Sequence, residues 1–278
     1  MGLIGVFVAP FVCCASTFAE MREHNLEERV CGLKEPVAFW FWSMAAGQPD
    51  SSRLAHLRHV DDISLTTQDG RVLRGYALRA PSAGNEPVRP RGYLLVAQGN
   101  AMLADQILSS FAGFANNGLD VYIFDYRGYG RSEGKRRLKA IVSDYREIIE
   151  YLNSLQYPVR RFYGMSFGGI VVLNALKSSP GDHRVVIDST PSRLSGYGCP
   201  ETYDPVRNLP EHGANHLMIV GLRDHVVTSA QSKELVEIAV QRGATIVRDP
   251  EFSHPFMDPS VSVHRRRLQA VQRFLLGG

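Results

Sequence analysis

The 278-residue sequence predicts an α/β fold in which a mainly parallel sheet is covered by helices on both faces. Three observations carry that expectation. From His59 onward, short β-rich runs alternate with amphipathic helical patterns. Several of those runs are continuously apolar, as strands buried on both faces are. The third is GMSFGG, Gly164 to Gly169, which stands where a strand gives way to a helix.

The elements follow in order. Ile63 to Thr67 and Val72 to Leu78 flank Gln68, Asp69 and Gly70, where Asp-Gly is a strong turn signal, so the two runs form a hairpin. Pro81 to Pro90 is rich in proline, glycine and polar residues and reads as a surface loop. Tyr93 to Ala97 is a buried strand, Asp105 to Asn116 a helix, Val121 to Phe124 a strand and Val142 to Leu155 a helix. Tyr157 to Tyr163 is the strand entering GMSFGG, and Ile170 to Lys177 the apolar helix leaving it. Val185 to Ile187, Leu217 to Val220 and Thr245 to Val247 are further buried strands, with helices from Ala230 to Arg242 and Val261 to Leu276. No repeat, low-complexity tract or linker appears. The expected organisation is an apolar, targeting-like segment with lead-in helices over 1–58, then one large domain over 59–278.

A net charge of +3 is too small to imply nucleic acid as a partner. Two basic runs, Lys135, Arg136, Arg137 and Lys139, and Arg265, Arg266 and Arg267, read as solvated faces. Leu3 to Ala19 is nearly uncharged and ends on small residues, like an export signal without its positive n-region. Cys13 and Cys14 suggest lipid attachment, although Pro10, Phe11 and Val12 do not resemble a lipoprotein cleavage box. The expectation is export or membrane association through the N-terminus, with a cytoplasmic location as the alternative. Cys31 and Cys199 form one pair that could bridge in an oxidising compartment, but two cysteines so distant in sequence are more often unpaired. Val37 to Ala46, with Phe39, Trp40, Phe41 and Trp42, is expected to pack on the core rather than lie at a membrane interface.

A strand turning sharply into a helix forces the turn residue into strain and requires small neighbours, here Gly164, Gly168 and Gly169. Ser166 then projects its hydroxyl above the strand ends, at a helix N-terminus that favours developing negative charge. GxSxG is short and recurs by chance; its setting gives it weight. A serine hydroxyl is a weak nucleophile at neutral pH and needs a base, with a third group to orient that base. In the order Ser, acid, His, the candidates are Asp224 in GLRDHVV and His254 in DPEFSHPF, both at C-terminal strand ends on the edge that carries Ser166. Asp188 is the substitute acid, while His225 is too close to Asp224 to serve as its base. Oxyanion donors are expected from the amides of Phe167 and of QGNAM, Gln98 to Met102, with Asn100 ahead of Ala101. No HxH, HExxH or CxxC pattern supports a metal site.

Together QGNA, DYRGYGRSEG from Asp125 to Gly134, GMSFGG, GLRDHVV and FSHPF resemble successive motifs of the α/β-hydrolase superfamily. The set is most similar to the small-capped branch of monoacylglycerol lipases, depalmitoylases and serine aminopeptidase-like proteins. The resemblance spans roughly His59 to the C-terminus. It implies the α/β-hydrolase fold: a mostly parallel central sheet of about eight strands, helices on both faces and a small cap. It also implies Ser166 as nucleophile, His254 as base, Asp224 as acid and a mechanism without cofactor. Gln98 and Gly99 stand where relatives often have His-Gly, and Asp125 and Arg127 match a turn that is usually structural. The expected function is hydrolysis of a small acyl ester or thioester, with a lipid-linked substrate reasonable beside the apolar N-terminus. An acyltransferase with the same triad, or a non-catalytic binding protein on this fold, are the alternatives.

Overall fold

Each residue of the strand Gly92–Ala97 is buried, because the sheet around it is covered on both sides. Its side chains alternate: Tyr93, Leu95 and Ala97 join one hydrophobic layer, Leu94 and Val96 the other. The computed structural model describes residues 25–81, 89–177 and 181–277. Leu3 to Ala19, Cys13, Cys14 and most of the Pro81 to Pro90 loop therefore lie outside the described residues.

In chain order the main elements are α1 (Glu35–Ala45), β1 (Val60–Thr66), β2 (Val72–Leu78), β3 (Gly92–Ala97), α2 (Ala104–Ile107), α3 (Ala112–Ala115), β4 (Leu119–Phe124), α4 (Leu138–Ser154), β5 (Val159–Met165), α5 (Phe167–Leu176), β6 (Arg184–Asp188), β7 (His216–Gly221), α6 (Ser229–Gln241), β8 (Thr245–Asp249) and α7 (Val261–Leu276). The eight strands form one sheet in the order β1-β2-β4-β3-β5-β6-β7-β8. β2 pairs antiparallel with β1 and β4, and every other pairing is parallel. Parallel strands end on one edge, so the C-termini of β3, β5, β6, β7 and β8 deliver their loops to the same side of the molecule.

Several boundaries differ from expectation. The segment expected as one helix from Asp105 to Asn116 is broken into α2, a 3₁₀ turn (Leu108–Phe111) and α3. Leu108 and Phe111 inside that turn are buried, so tertiary packing sets its path rather than helical periodicity. The helix expected from Val142 starts at Leu138, whose amide is held by the buried Glu35 carboxylate at 2.9 Å. Cys31 and Cys199, expected to be unpaired, are disulfide-bonded across a sequence separation of 168. The chain path brings the lead-in to α1 against the segment after β6, a proximity that sequence distance does not reveal.

That segment, between β6 and β7, holds three short 3₁₀ turns: Ser195–Tyr197, Glu201–Tyr203 and Pro205–Arg207. It is organised around the fully buried Asp204, which accepts from the Leu194 and Ser195 amides at 2.7 and 2.8 Å and from Ser195 Oγ at 2.8 Å. Two expectations about surfaces also need correction. Arg267, read with its neighbours as solvated, is fully buried, because Val263, Arg267, Val271 and Leu275 share the inner stripe of α7. The apolar run over α1 packs on the core only through Phe39 and Ala46; Val37, Trp40, Phe41 and Met44 are exposed.

Candidate active site

Ser166 caps the N-terminus of α5 with φ 54° and ψ −118°, a conformation sparsely populated by side-chain-bearing residues that costs about 1–3 kcal/mol. The surroundings enforce it. The Ser166 amide donates to the Asp188 carbonyl at 2.8 Å, and its own carbonyl accepts from the Gly169 amide and Thr190 Oγ1, each at 3.1 Å. A Cβ on Gly164 would meet the Gly168 carbonyl at 2.6 Å, and one on Gly168 would overlap the Ala97 carbonyl. Glycine is therefore the residue that lets β5, α5 and the end of β3 meet. The helix behind Ser166 is buried from Phe167 to Ala175, so the serine sits on a fixed base. Ser166 itself is half-buried, and its Oγ makes no hydrogen bond among the described residues.

The loops after β7 and β8 bring Asp224 and His254 together. Asp224 Oδ2 lies 2.9 Å from His254 Nδ1, and Oδ1 accepts the Val226 and Val227 amides, both at 2.8 Å. Burial by itself would raise the Asp224 carboxyl, but the hydrogen bond and charge of His254, with the two amides, hold it below the usual carboxylate range. The Asp224 side chain is closed to solvent and that of His254 is slightly open, which leaves the far ring nitrogen, Nε2, as the accessible one.

At the end of β3, Gln98 is buried, with Nε2 donating to the Phe124 carbonyl and its backbone carbonyl accepting from Tyr126 Oη at 2.6 Å. The next residue, Gly99, brings the turn so close that a Cβ there would lie 4.0 Å from Ser166 Cβ. Asn100 Oδ1 accepts from Tyr129 Oη at 2.6 Å, which ties the turn to the segment after β4. The amides of Asn100 and Phe167 have no partner among the described residues, and the second is an orphan donor of the first turn of α5. Both belong to segments that converge on Ser166.

Asp188, the substitute acid, is taken up elsewhere: Oδ1 accepts from Arg267 Nη1 at 2.6 Å and Oδ2 from Tyr163 Oη at 2.9 Å. Asp125 and Arg127 hold the turn after β4. Asp125 Oδ1 accepts the Ala104 amide at 2.8 Å, and Arg127 bridges Asp144 and Asp69.

One residue of the site escaped the sequence reading. Arg267 binds both Asp258 oxygens (3.0 and 2.9 Å), lies 4.3 Å from the Phe252 ring centroid, and donates to the Ser253 carbonyl next to His254. Burial disfavours its charge, yet Asp188 and Asp258 outweigh that and push its pKa above the ordinary value. Arg267 thus joins the strand end that holds the Ser166 amide to the loop that carries His254. The apolar spacing of α7 placed it on the inner stripe, a signal hidden by two arginines beside it.

The stretch 88–196 matches the family described as serine aminopeptidase, S33; it includes Ser166 and the QGNA turn and ends before Asp224 and His254. Over 229 residues the chain is 28% identical to an uncharacterized protein of Mycobacterium tuberculosis, covering 77% of this chain and 78% of that one. A monoacylglycerol lipase of Mycolicibacterium smegmatis is 33% identical over 109 residues, 37% of this chain and 39% of the lipase. Among solved structures, the Pyrococcus furiosus esterase Pf2001 superposes with a TM-score of 0.62 at 18% identity, covering 82% of this chain and 93% of the esterase. This chain has the α/β-hydrolase fold. A protein of that fold from Xanthomonas campestris, described as an a/b serine hydrolase without lid, superposes with a TM-score of 0.58 at 20% identity, over 78% of this chain and 95% of its own length.

Proposed function

We propose that the protein is a serine hydrolase that cleaves carboxylic esters or thioesters through an acyl-enzyme. The observation that carries the reading is the 2.9 Å contact between Asp224 and His254, on the sheet edge where Ser166 is held in its strained turn. In this reading Ser166 Oγ attacks the acyl carbonyl carbon while His254 Nε2 takes the hydroxyl proton. Asp224 stays ionised, holds the proton on Nδ1 and stabilises the imidazolium. The amides of Asn100 and Phe167 receive the oxyanion, with the first-turn dipole of α5 behind them. The imidazolium returns its proton to the departing oxygen or sulfur, and water, activated by the same histidine, releases the acid and restores Ser166.

Labelling with a fluorophosphonate probe tests the assignment. Wild-type protein is expected to label and to hydrolyse a panel of esters graded in acyl length; Ser166→Ala is expected to do neither. Equal labelling of the two proteins overturns the nucleophile. A second reading, acyl transfer to an alcohol by the same residues, is favoured by a 30% identity over 125 residues to a polyketide transferase of Penicillium crustosum, which covers 40% of that protein. Product analysis with a competing alcohol separates the two: ester product signals transfer, free acid hydrolysis.

A further inference from the structure

The outer face of α1 is apolar and open. Val37 is 66% exposed, Trp40 54%, Phe41 64% and Met44 61%, and these residues recur at helical spacing along one side. Leu33, in the turn before the helix, extends the stripe. Such a surface costs free energy in water, and a run of this size rimmed by charge marks a contact site.

Its rim is basic. Pro36 and Trp40 line a groove with Gly134, Lys135, Arg136 and Arg137. Lys34 is exposed at the helix N-terminus and Lys135 is exposed across the groove. Within the groove Arg136 Nε is bound to the Gly128 carbonyl, whereas Arg137 donates through Nη1 to the Arg136 carbonyl and its buried Nε has no partner among the described residues. Of the acids nearby, Glu27 pairs with Arg71 at 3.2 Å, accepts the Lys135 amide at 2.9 Å and stands 3.9 Å from the exposed Lys135 ammonium, while Glu35 is buried on the Val30, Cys31 and Leu138 amides.

The inner face of the same helix reaches the candidate active site. Phe39 is buried, 5.4 Å edge-on from the ring of Phe167, the residue after Ser166. A plane laid on the outer face would therefore lie about one helix diameter, ~10 Å, from the segment that carries the serine.

We propose that α1, with the Lys34 and Lys135–Arg137 rim, docks the protein on an anionic lipid bilayer. Indole rings favour the headgroup boundary, aliphatic and phenyl side chains enter the acyl region, and the basic rim meets lipid phosphates. The charge complementarity commits the surface to a bilayer rather than to a second copy of the chain, whose matching face would carry the same positive rim. The inference does not depend on the hydrolase reading, since docking is measured without turnover.

The chain's two tryptophans, Trp40 and Trp42, both lie on α1, so intrinsic fluorescence reports on this helix alone. The full chain is titrated with vesicles of phosphatidylcholine, with and without phosphatidylglycerol, and binding is checked by co-flotation. Anionic vesicles are expected to bind at least about tenfold more tightly than neutral ones and to shift the emission to the blue. Val37→Ser/Phe41→Ser/Met44→Ser, which keeps both tryptophans and alters exposed positions, is expected to weaken binding about tenfold or more. Lys34→Gln/Lys135→Gln is expected to weaken it roughly fivefold per charge and to reduce the salt dependence. Circular dichroism verifies that each variant is folded, and Ser166→Ala is expected to bind as wild type does. Equal binding to neutral vesicles, binding without a tryptophan shift, or undiminished binding by the two multiple variants overturns the proposal. So does a dimer in vesicle-free solution that the apolar variant dissociates.

Discussion

In the proposed triad Asp224 serves His254 only as an ionised carboxylate, because an amide in its place can present either a donor or an acceptor to Nδ1. In Asp224→Asn the side chain still accepts the Val226 and Val227 amides through its oxygen, which leaves its NH₂ to face the ring. The imidazole then takes the tautomer with its proton on Nε2 and cannot accept one from Ser166. The expected result is a fall in kcat/KM of roughly 10³–10⁴-fold with an unchanged melting temperature, measured on a soluble short-chain ester. A loss of less than about tenfold would remove Asp224 from the triad. The order Ser166, Asp224, His254 was legible in the sequence because each residue follows a recognisable strand, and parallel strands end together. Arg267 was not legible in the same way: its burial depends on Asp188 and Asp258 being available to neutralise it inside the fold.

The least regular elements of the fold are set by long-range contacts. Strands β3, β6 and β7 were legible from their apolar runs, since strands buried on both faces need no other signal. Thr245 to Val247, expected as a buried strand, lies in β8, which closes the edge of the sheet and has no buried residue because no strand pairs beyond it. The lead-in to α1 and the three 3₁₀ turns after β6 carry no periodicity, and what fixes them is long-range: the Cys31–Cys199 bond and the Asp204 carboxylate. Cross-linking across 168 residues removes chain entropy from the unfolded state, typically worth about 2–4 kcal/mol. Thermal unfolding under non-reducing conditions is expected to give a lower midpoint for Cys31→Ser/Cys199→Ser than for wild type. Reductant should lower the wild-type midpoint by the same amount and leave the double variant unmoved. Identical midpoints would mean that the bond contributes nothing to the folded state.

For the molecule as a whole, buried titratable groups set how stability varies with pH. His216, at the start of β7, is pushed down to about 4, chiefly by burial and further by the charge of His183. The unfolded chain protonates this histidine near its ordinary value of about 6.5, so between roughly pH 6.5 and 4 the unfolded state binds the extra proton. Its contribution is complete above the unfolded value and is lost as pH falls through the window to the folded value. Asp125 and Asp144, pushed up to about 6 by burial, act in the opposite sense: their contribution is present at low pH and lost as pH rises through 6. Comparing one variant with wild type cancels those carboxyls. Urea unfolding of His216→Asn is expected to lose on the order of 2–3 kcal/mol less than wild type between pH 7 and 4. Parallel pH profiles for the two proteins would show that His216 is not the group responsible.

By itself the sequence determined the alternation of strand and helix, the turn that strains Ser166 and the order in which the acid and histidine follow. Those features are local, written in periodicity, glycine placement and the residues that close each strand. Tertiary structure decided which distant residues meet: Cys31 with Cys199, Asp188 and Asp258 with Arg267, Glu35 with the start of α4. It also decided that the apolar run of α1 divides into a buried Phe39 and an outward Val37, Trp40, Phe41 and Met44. A run that is apolar all round carries no periodicity from which to read its inner side. Only the neighbour that covers a face determines whether that face is core or surface.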